Sequence, residues 1–81
     1  MKVRAQFFAQ LRDVTGVSET TLELSEGATV ADLLAELYKQ TPKLRDWDKN
    51  ILAGSGVEFV DKRHVLQAGD EIAIMPPVQG G

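Results

Sequence analysis

The residues with the most evident chemistry come last in the sequence: Pro76, Pro77, Val78, Gln79, Gly80 and Gly81. Gly80 and Gly81 have no side chain to pack in a core, so they present a bare backbone carboxylate. A C-terminal carboxyl has an ordinary pKa of about 3.3–3.7 and is an anion at neutral pH. Such an anion can react as a nucleophile through its own oxygen. The sequence therefore predicts that Gly81 is the reactive residue.

The residues before Gly81 suit a narrow passage. Glycine tolerates most backbone angles, and Pro76-Pro77 favours an extended exit from the domain. At ~3.1 Å per residue, residues 76–81 would reach roughly 19 Å. We expect this tail to enter a buried site of a partner. A Gly-Gly end could also be a frayed terminus or a cloning scar, but the Pro-Pro-Val run directly before it favours a function.

Composition limits what the rest of the chain can do. The 81 residues are enough for one domain with a modest core. A net charge of -3 argues against nucleic acid as the main partner. No apolar run is long enough to span a bilayer, and no signal peptide is evident, so we expect a cytoplasmic protein without a membrane partner. Because there is no cysteine, no thiolate can serve as nucleophile or metal ligand.

The hydrophobic pattern predicts strands at residues 2–8, 20–24, 51–53, 57–60 and 71–75. A short helix is expected at residues 9–14 and a longer one at residues 30–40. In the longer helix Val30, Leu33, Leu34 and Leu37 share one face, and Thr29 is a plausible N-cap. The order β-β-α-β-β, with one main helix over one face of a mixed sheet, is an α+β, ubiquitin-like β-grasp arrangement. We expect this domain to occupy residues 1–75 and the flexible tail residues 76–81.

Three apolar residues fall on the outward side of their predicted strands: Phe8, Phe59 and Met75. They could form an exposed apolar patch on the sheet face opposite the helix, and such patches usually mark interfaces. Phe59 could equally lie in the core, since Val57 and Val60 compete for the same place. The sequence therefore predicts a partner interface at these three residues, with the better support at Phe8 and Met75.

Three segments together resemble the small subunit of molybdopterin synthase, a ubiquitin-like sulfur carrier. They are residues 3–13 (VRAQFFAQLRD), residues 69–74 (GDEIAI) and residues 76–81 (PPVQGG). Ser55-Gly56 departs from the Val-Asn that the family often carries there, and Asp13 stands where Glu is more usual.

The resemblance implies a cycle and a set of partners. A ubiquitin-activating-like adenylyltransferase would adenylate the Gly81 carboxylate with ATP and magnesium, and sulfur would then replace AMP to give a thiocarboxylate. The tail would enter the large synthase subunit, in a 2+2 heterotetramer, and give its sulfur to cyclic pyranopterin monophosphate. The chain would be the sulfur donor of this sulfurtransferase, with no active site, cofactor or metal of its own.

Three other functions remain compatible with the sequence. One is a sulfur carrier for thiazole or thiolated-tRNA synthesis, although thiazole carriers tend to be shorter and to lack the double proline. Another is a protein modifier joined to lysines, which would use the same adenylation. The last is a β-grasp binding module whose Gly-Gly end is incidental.

Overall fold

The computed structural model describes residues 1–77. In this part of the chain five strands form a single mixed sheet: β1 (Lys2–Phe7), β2 (Glu19–Glu23), β3 (Leu52–Ser55), β4 (Glu58–Val60) and β5 (Glu71–Met75). The strand order across the sheet is β2-β1-β5-β3-β4. The central pair β1 and β5 is parallel, while the outer pairs are antiparallel. The predicted α+β, β-grasp fold is confirmed.

Two α-helices and a 3₁₀ helix accompany the sheet: α1 (Gln10–Thr15), α2 (Val30–Gln40) and the 3₁₀ helix (Pro42–Trp47). The N-terminus of α2 carries a capping box, in which the Thr29 hydroxyl accepts from the Asp32 N–H and the Asp32 carboxylate accepts from the Thr29 N–H. Helix α1 ends at Gly16, whose φ of 78° is the left-handed conformation that glycine adopts without a steric penalty. Within residues 1–77, no helix is long and apolar enough to cross a membrane.

The core lies between α2 and one face of the sheet. The predicted helix face is fully buried, and so are the inward residues of β1 and β5. The buried residues that face one another are Val3, Ala5, Phe7, Val30, Leu33, Leu34, Leu37, Ile72 and Ile74. Because alternate strand residues point to opposite faces, the outward residues of β1, β3 and β5 are left on the other side of the sheet.

A loop of residues 61–66 closes the helix end of the core. The backbone N–H of Val30 donates to the His64 carbonyl at 3.0 Å, and that of Ala31 donates to the Lys62 carbonyl at 2.9 Å. These bonds satisfy two of the four N–H groups that an α-helix leaves free at its start. Leu66, which is 2% exposed, anchors the end of the loop in the core.

Candidate functional site

The last strand directs the chain toward the tail. In β5, Ile72 and Ile74 are buried, while Ala73 and Met75 lie half-buried on the outer face. Pro76 follows immediately and has no backbone N–H to continue the ladder, so β5 ends at Met75. Pro76 and Pro77 are half-buried. The other predicted tail residues, Val78, Gln79, Gly80 and the reactive Gly81, lie outside the described residues, so their roles stay predictions.

Phe8 lies beside the start of the tail because of how β1 ends. Its backbone N–H donates to the Ile74 carbonyl at 3.2 Å, which extends the parallel pairing of β1 with β5 by one residue. The chain then turns at Ala9, with a φ of 52°, and the Leu11 N–H donates to the Phe8 carbonyl. This turn starts α1 and leaves the Phe8 side chain 45% exposed.

Phe59 is on the surface, 69% exposed, and is not a core residue. It pairs directly with Gly54 in the β3–β4 hairpin, and Gly54 pairs with Ala73 of β5 on its other side. Val60, the next residue, is the one that packs against the core. The alternative that Phe59 fills the core is therefore wrong, and its outward orientation is the one the structure adopts.

The three predicted interface residues line one shallow groove of about 210 Å³. Phe8, Phe59 and Met75 stand around it, and Gly54 and Ala73 contribute little or no side chain to it. Val57, at the tip of the β3–β4 hairpin, is fully exposed and also lines the groove. From its sequence pattern, Val57 is predicted to lie in a strand and to compete for the core. The turn at Gly56, where φ is 63°, instead puts it at the rim.

A polar network adjoins the groove on the same sheet face. Arg4 of β1 pairs with Glu71 of β5, and its Nη1 lies 3.6 Å from Glu19 Oε2 on β2. Gln6, which is opposite Ala73, donates from Nε2 to Glu71 at 3.4 Å. All of these side chains are at least partly exposed, so each ion pair adds little stability. No sequence pattern points to this network, because paired charges on an outward strand face carry no periodic signal.

A buried tyrosine connects helix α2 to the segment after the 3₁₀ helix and to the loop after β4. The Tyr38 hydroxyl of α2 donates to Asp48 Oδ1 at 2.5 Å, and Lys62 Nζ lies 2.9 Å from Asp48 Oδ2. Burial, followed by the hydrogen bond to Asp48, raises the pKa of Tyr38. The hydrogen bonds from Tyr38 and Lys62 lower the pKa of Asp48. These contacts connect α2 to the loop that follows β4, and so support the strand that carries Phe59.

Residues 5–81 of the chain match the sequence model of the ThiS family. The chain belongs to the ThiS family. It is 39% identical to the molybdopterin synthase sulfur carrier subunit of Chlamydomonas reinhardtii, over all of both chains. The resemblance to the ubiquitin-like sulfur carriers is confirmed.

Solved structures of similar proteins have the same fold. A putative molybdopterin converting factor, subunit 1, from Pyrococcus furiosus superposes with a TM-score of 0.85 at 32% identity, covering 96% of this chain and 99% of that one. SAMP1 from Haloferax volcanii, a small archaeal modifier protein, gives a TM-score of 0.86 at 30% identity, over all of both chains. This ThiS-family chain thus shares its whole fold with proteins named for two functions.

Proposed function

We propose that this chain is the sulfur-carrier small subunit of a molybdopterin synthase. The observation that carries the proposal is the full-length match to a relative of that name at 39% identity. The fold agrees with it, because β5 ends beside an exposed apolar groove at the point where the Pro-Pro tail begins. A carrier needs both features, because its folded domain must bind the partner while its tail extends into the partner's active site.

In the proposed cycle, Gly81 is the site of chemistry. Its carboxylate attacks the α-phosphate of ATP on a ubiquitin-activating-like adenylyltransferase that uses magnesium, and pyrophosphate leaves. A donor that supplies sulfur at the sulfide level forms a bond from sulfur to the acyl carbon, AMP leaves, and the product is a thiocarboxylate. In the large synthase subunit the sulfur passes to cyclic pyranopterin monophosphate, and the tail returns to a carboxylate. Two small and two large subunits would form the complex.

The docking surface for both partners is the groove lined by Phe8, Phe59 and Met75. Met75 directly precedes Pro76, so a protein that takes up residues 76–81 must approach the groove. The groove is lined by residues of the sheet and of its adjoining turns, whereas the reaction is carried by the tail. Docking and chemistry are therefore separable properties of the chain.

Intact mass spectrometry tests the proposal. The chain is incubated with the activating enzyme, ATP and a sulfur source, and then with the large synthase subunit and cyclic pyranopterin monophosphate. We expect one oxygen of the chain to be exchanged for sulfur in the first step and restored in the second. If the chain accepts no sulfur, or keeps it in the presence of the large subunit, the proposal is wrong.

A second function is favoured by one observation, the match to SAMP1 over the whole of both chains. A protein modifier would use the same adenylation of Gly81 and then form an isopeptide bond with a lysine of another protein. The same incubation, with cell extract added, separates the two functions. Adducts of the chain on other proteins would support the modifier, and sulfur exchange without adducts would support the carrier alone.

A further inference from the structure

The floor of the groove is unusual for a strand. Gly54 is in the middle of β3, where glycine weakens a strand because it has no side chain to pack. Its φ lies outside the left-handed region, so its backbone does not require glycine. A Cβ at Gly54 would lie 3.2 Å from Met75 Cε and 3.7 Å from Ala73 Cβ. What glycine provides here is room for the Met75 methyl group to lie against the strand, so that the groove above it stays open.

The chemistry around this space limits what could occupy it. Of the eight residues that line the groove in the described part of the chain, seven are apolar or glycine and the other is Glu58. The Arg4 network beside it holds two carboxylates, Glu19 and Glu71, against one guanidinium. An acidic side chain would be repelled by these carboxylates. A basic one would have its charge placed against apolar walls, which is costly without a buried partner.

A second copy of the chain is a poor occupant. Each copy carries a net charge of -3, and pairing the two grooves would bring the carboxylates of both copies together. The tail indicates the alternative. Met75 forms one wall of the groove and the tail starts at the next residue, so the protein that takes up the tail covers this space.

We infer that the groove is a socket for one bulky apolar side chain of the large synthase subunit, and that Gly54 is a specificity-determining residue because it keeps the socket open. The inference rests on the proposed function, which supplies the partner. The flexible Met75 side chain, unbranched and adaptable, adjusts the socket to the side chain that enters. Ala73 serves the same purpose as Gly54 on the neighbouring strand, since a larger residue there would narrow the socket from the other side.

Filling the socket from below is the direct test. Gly54→Ala and Gly54→Val add one and then three carbons at the floor without introducing charge. Valine is favoured in strands over glycine, whereas a Cβ at this position must displace the flexible end of Met75. These effects oppose each other, so we expect both variants to fold and to melt close to the temperature of the unsubstituted chain. Affinity for the large synthase subunit, measured by calorimetric titration, should fall in steps, with Gly54→Val losing roughly ten-fold or more, as for an interface hot spot.

Thr21→Val is the matched control. Thr21 is exposed on β2, opposite Arg4 on the same sheet face, and is separated from β3 by two strands. This substitution also puts valine on the outer face but leaves the socket open, so its affinity should be unchanged. Wild-type affinity for Gly54→Val, an equal loss for Thr21→Val, or dimerisation of the chain alone through the groove would overturn the inference.

The proposed function is judged separately, on the unsubstituted chain. If that chain accepts sulfur and binds the large subunit while Gly54→Val binds equally well, the socket alone is wrong. If the unsubstituted chain neither accepts sulfur nor binds the large subunit, the proposed function fails and the socket loses its partner.

Discussion

At the scale of single residues, Phe8 combines two properties that core residues do not have together. Its backbone is fixed by the hydrogen bond to Ile74, while its side chain is 45% exposed beside Met75. Because the backbone is already held, a partner that covers the ring has only the side chain of Phe8 to order. Aromatic residues, phenylalanine among them, are enriched at protein interfaces.

We predict that Phe8→Asp weakens binding to both the activating enzyme and the large synthase subunit, each by roughly ten-fold or more, and leaves the fold intact. Met75→Asp should act in the same way. Val65→Asp is the control, since Val65 is 56% exposed but does not line the groove. Binding titrations on folded variants measure the effect. Equal affinities for Phe8→Asp and the unsubstituted chain would show that this face is not the docking surface.

The Tyr38–Asp48 hydrogen bond has a pH dependence whose sign follows from the two pKa shifts. The pKa of Asp48 is lowered from its ordinary value of 3.8, so its contribution to stability is present above that value and is lost as the pH falls through the lower, folded pKa. The pKa of Tyr38 is raised from 10.0, so its contribution is present below 10.0 and is lost as the pH rises through the folded pKa. Both contributions are present between these limits.

We predict that Tyr38→Phe lowers the free energy of unfolding by about 1 kcal/mol at neutral pH, the usual net worth of a side-chain hydrogen bond. The phenyl ring keeps the packing, so the loss reports the hydroxyl alone. In urea unfolding at acid pH, the free energies of unfolding of the variant and the unsubstituted chain should converge as Asp48 is protonated, below about pH 3.8. If the difference in the free energy of unfolding stays constant down to the most acid pH, the charge on Asp48 does not contribute to the stabilisation by the Tyr38 hydroxyl.

At the scale of elements, helix α2 is the part of the fold that the sequence specifies most fully. Its predicted bounds, its Thr29 cap and its buried face all agree with the structure. Cap, periodicity and the following Pro42 are each local signals, and here they coincide. Strand β5 was also predicted with its observed bounds, because a turn and Pro76 delimit it.

Elements that depend on distant contacts were predicted less well. The hairpin of β3 and β4 was shifted by one or two residues at its turn, because Gly54, Ser55 and Gly56 offer several places for a turn. The capping of α2 by residues 61–66 was missed, since it is made by backbone carbonyls far along the chain. Leu44 and Leu66 are buried in this region without belonging to any periodic pattern. For the same reason the groove floor at Gly54 could be recognised only after the strands were paired.

We predict that Leu37→Ala lowers the free energy of unfolding by about 2–5 kcal/mol, the usual cost of truncating a buried leucine. Leu37 is 2% exposed and packs in the main core. Lys39→Ala, on the exposed side of the same helix, is the control and should change stability little, because its ion pair with Glu36 is a surface pair. Thermal and urea unfolding of both variants would measure the difference. An unchanged melting temperature for Leu37→Ala would mean that the helix face is misassigned.

At the scale of the whole molecule, the proposed reactive atom and the core are separate. The core cluster is drawn from residues 3–74, and the groove residues end at Met75. Removing the last residue should therefore change neither folding nor docking, while it removes the residue that we propose carries the sulfur. This separation gives a variant that binds without reacting.

We predict that a chain ending at Gly80 melts at the same temperature as the full chain. It should not support the transfer of sulfur to the substrate of the synthase, but it should compete with the full chain for the large synthase subunit. Because the groove is intact, its inhibition constant should be close to the dissociation constant of the full chain. Adding Gly54→Val to the truncated chain should raise its inhibition constant by roughly ten-fold or more while leaving the fold intact. Synthase assays with increasing amounts of each truncated chain measure this. If the truncated chain does not inhibit, binding depends on the tail and not on the sheet face; if it still supports turnover, Gly81 is not the carrier.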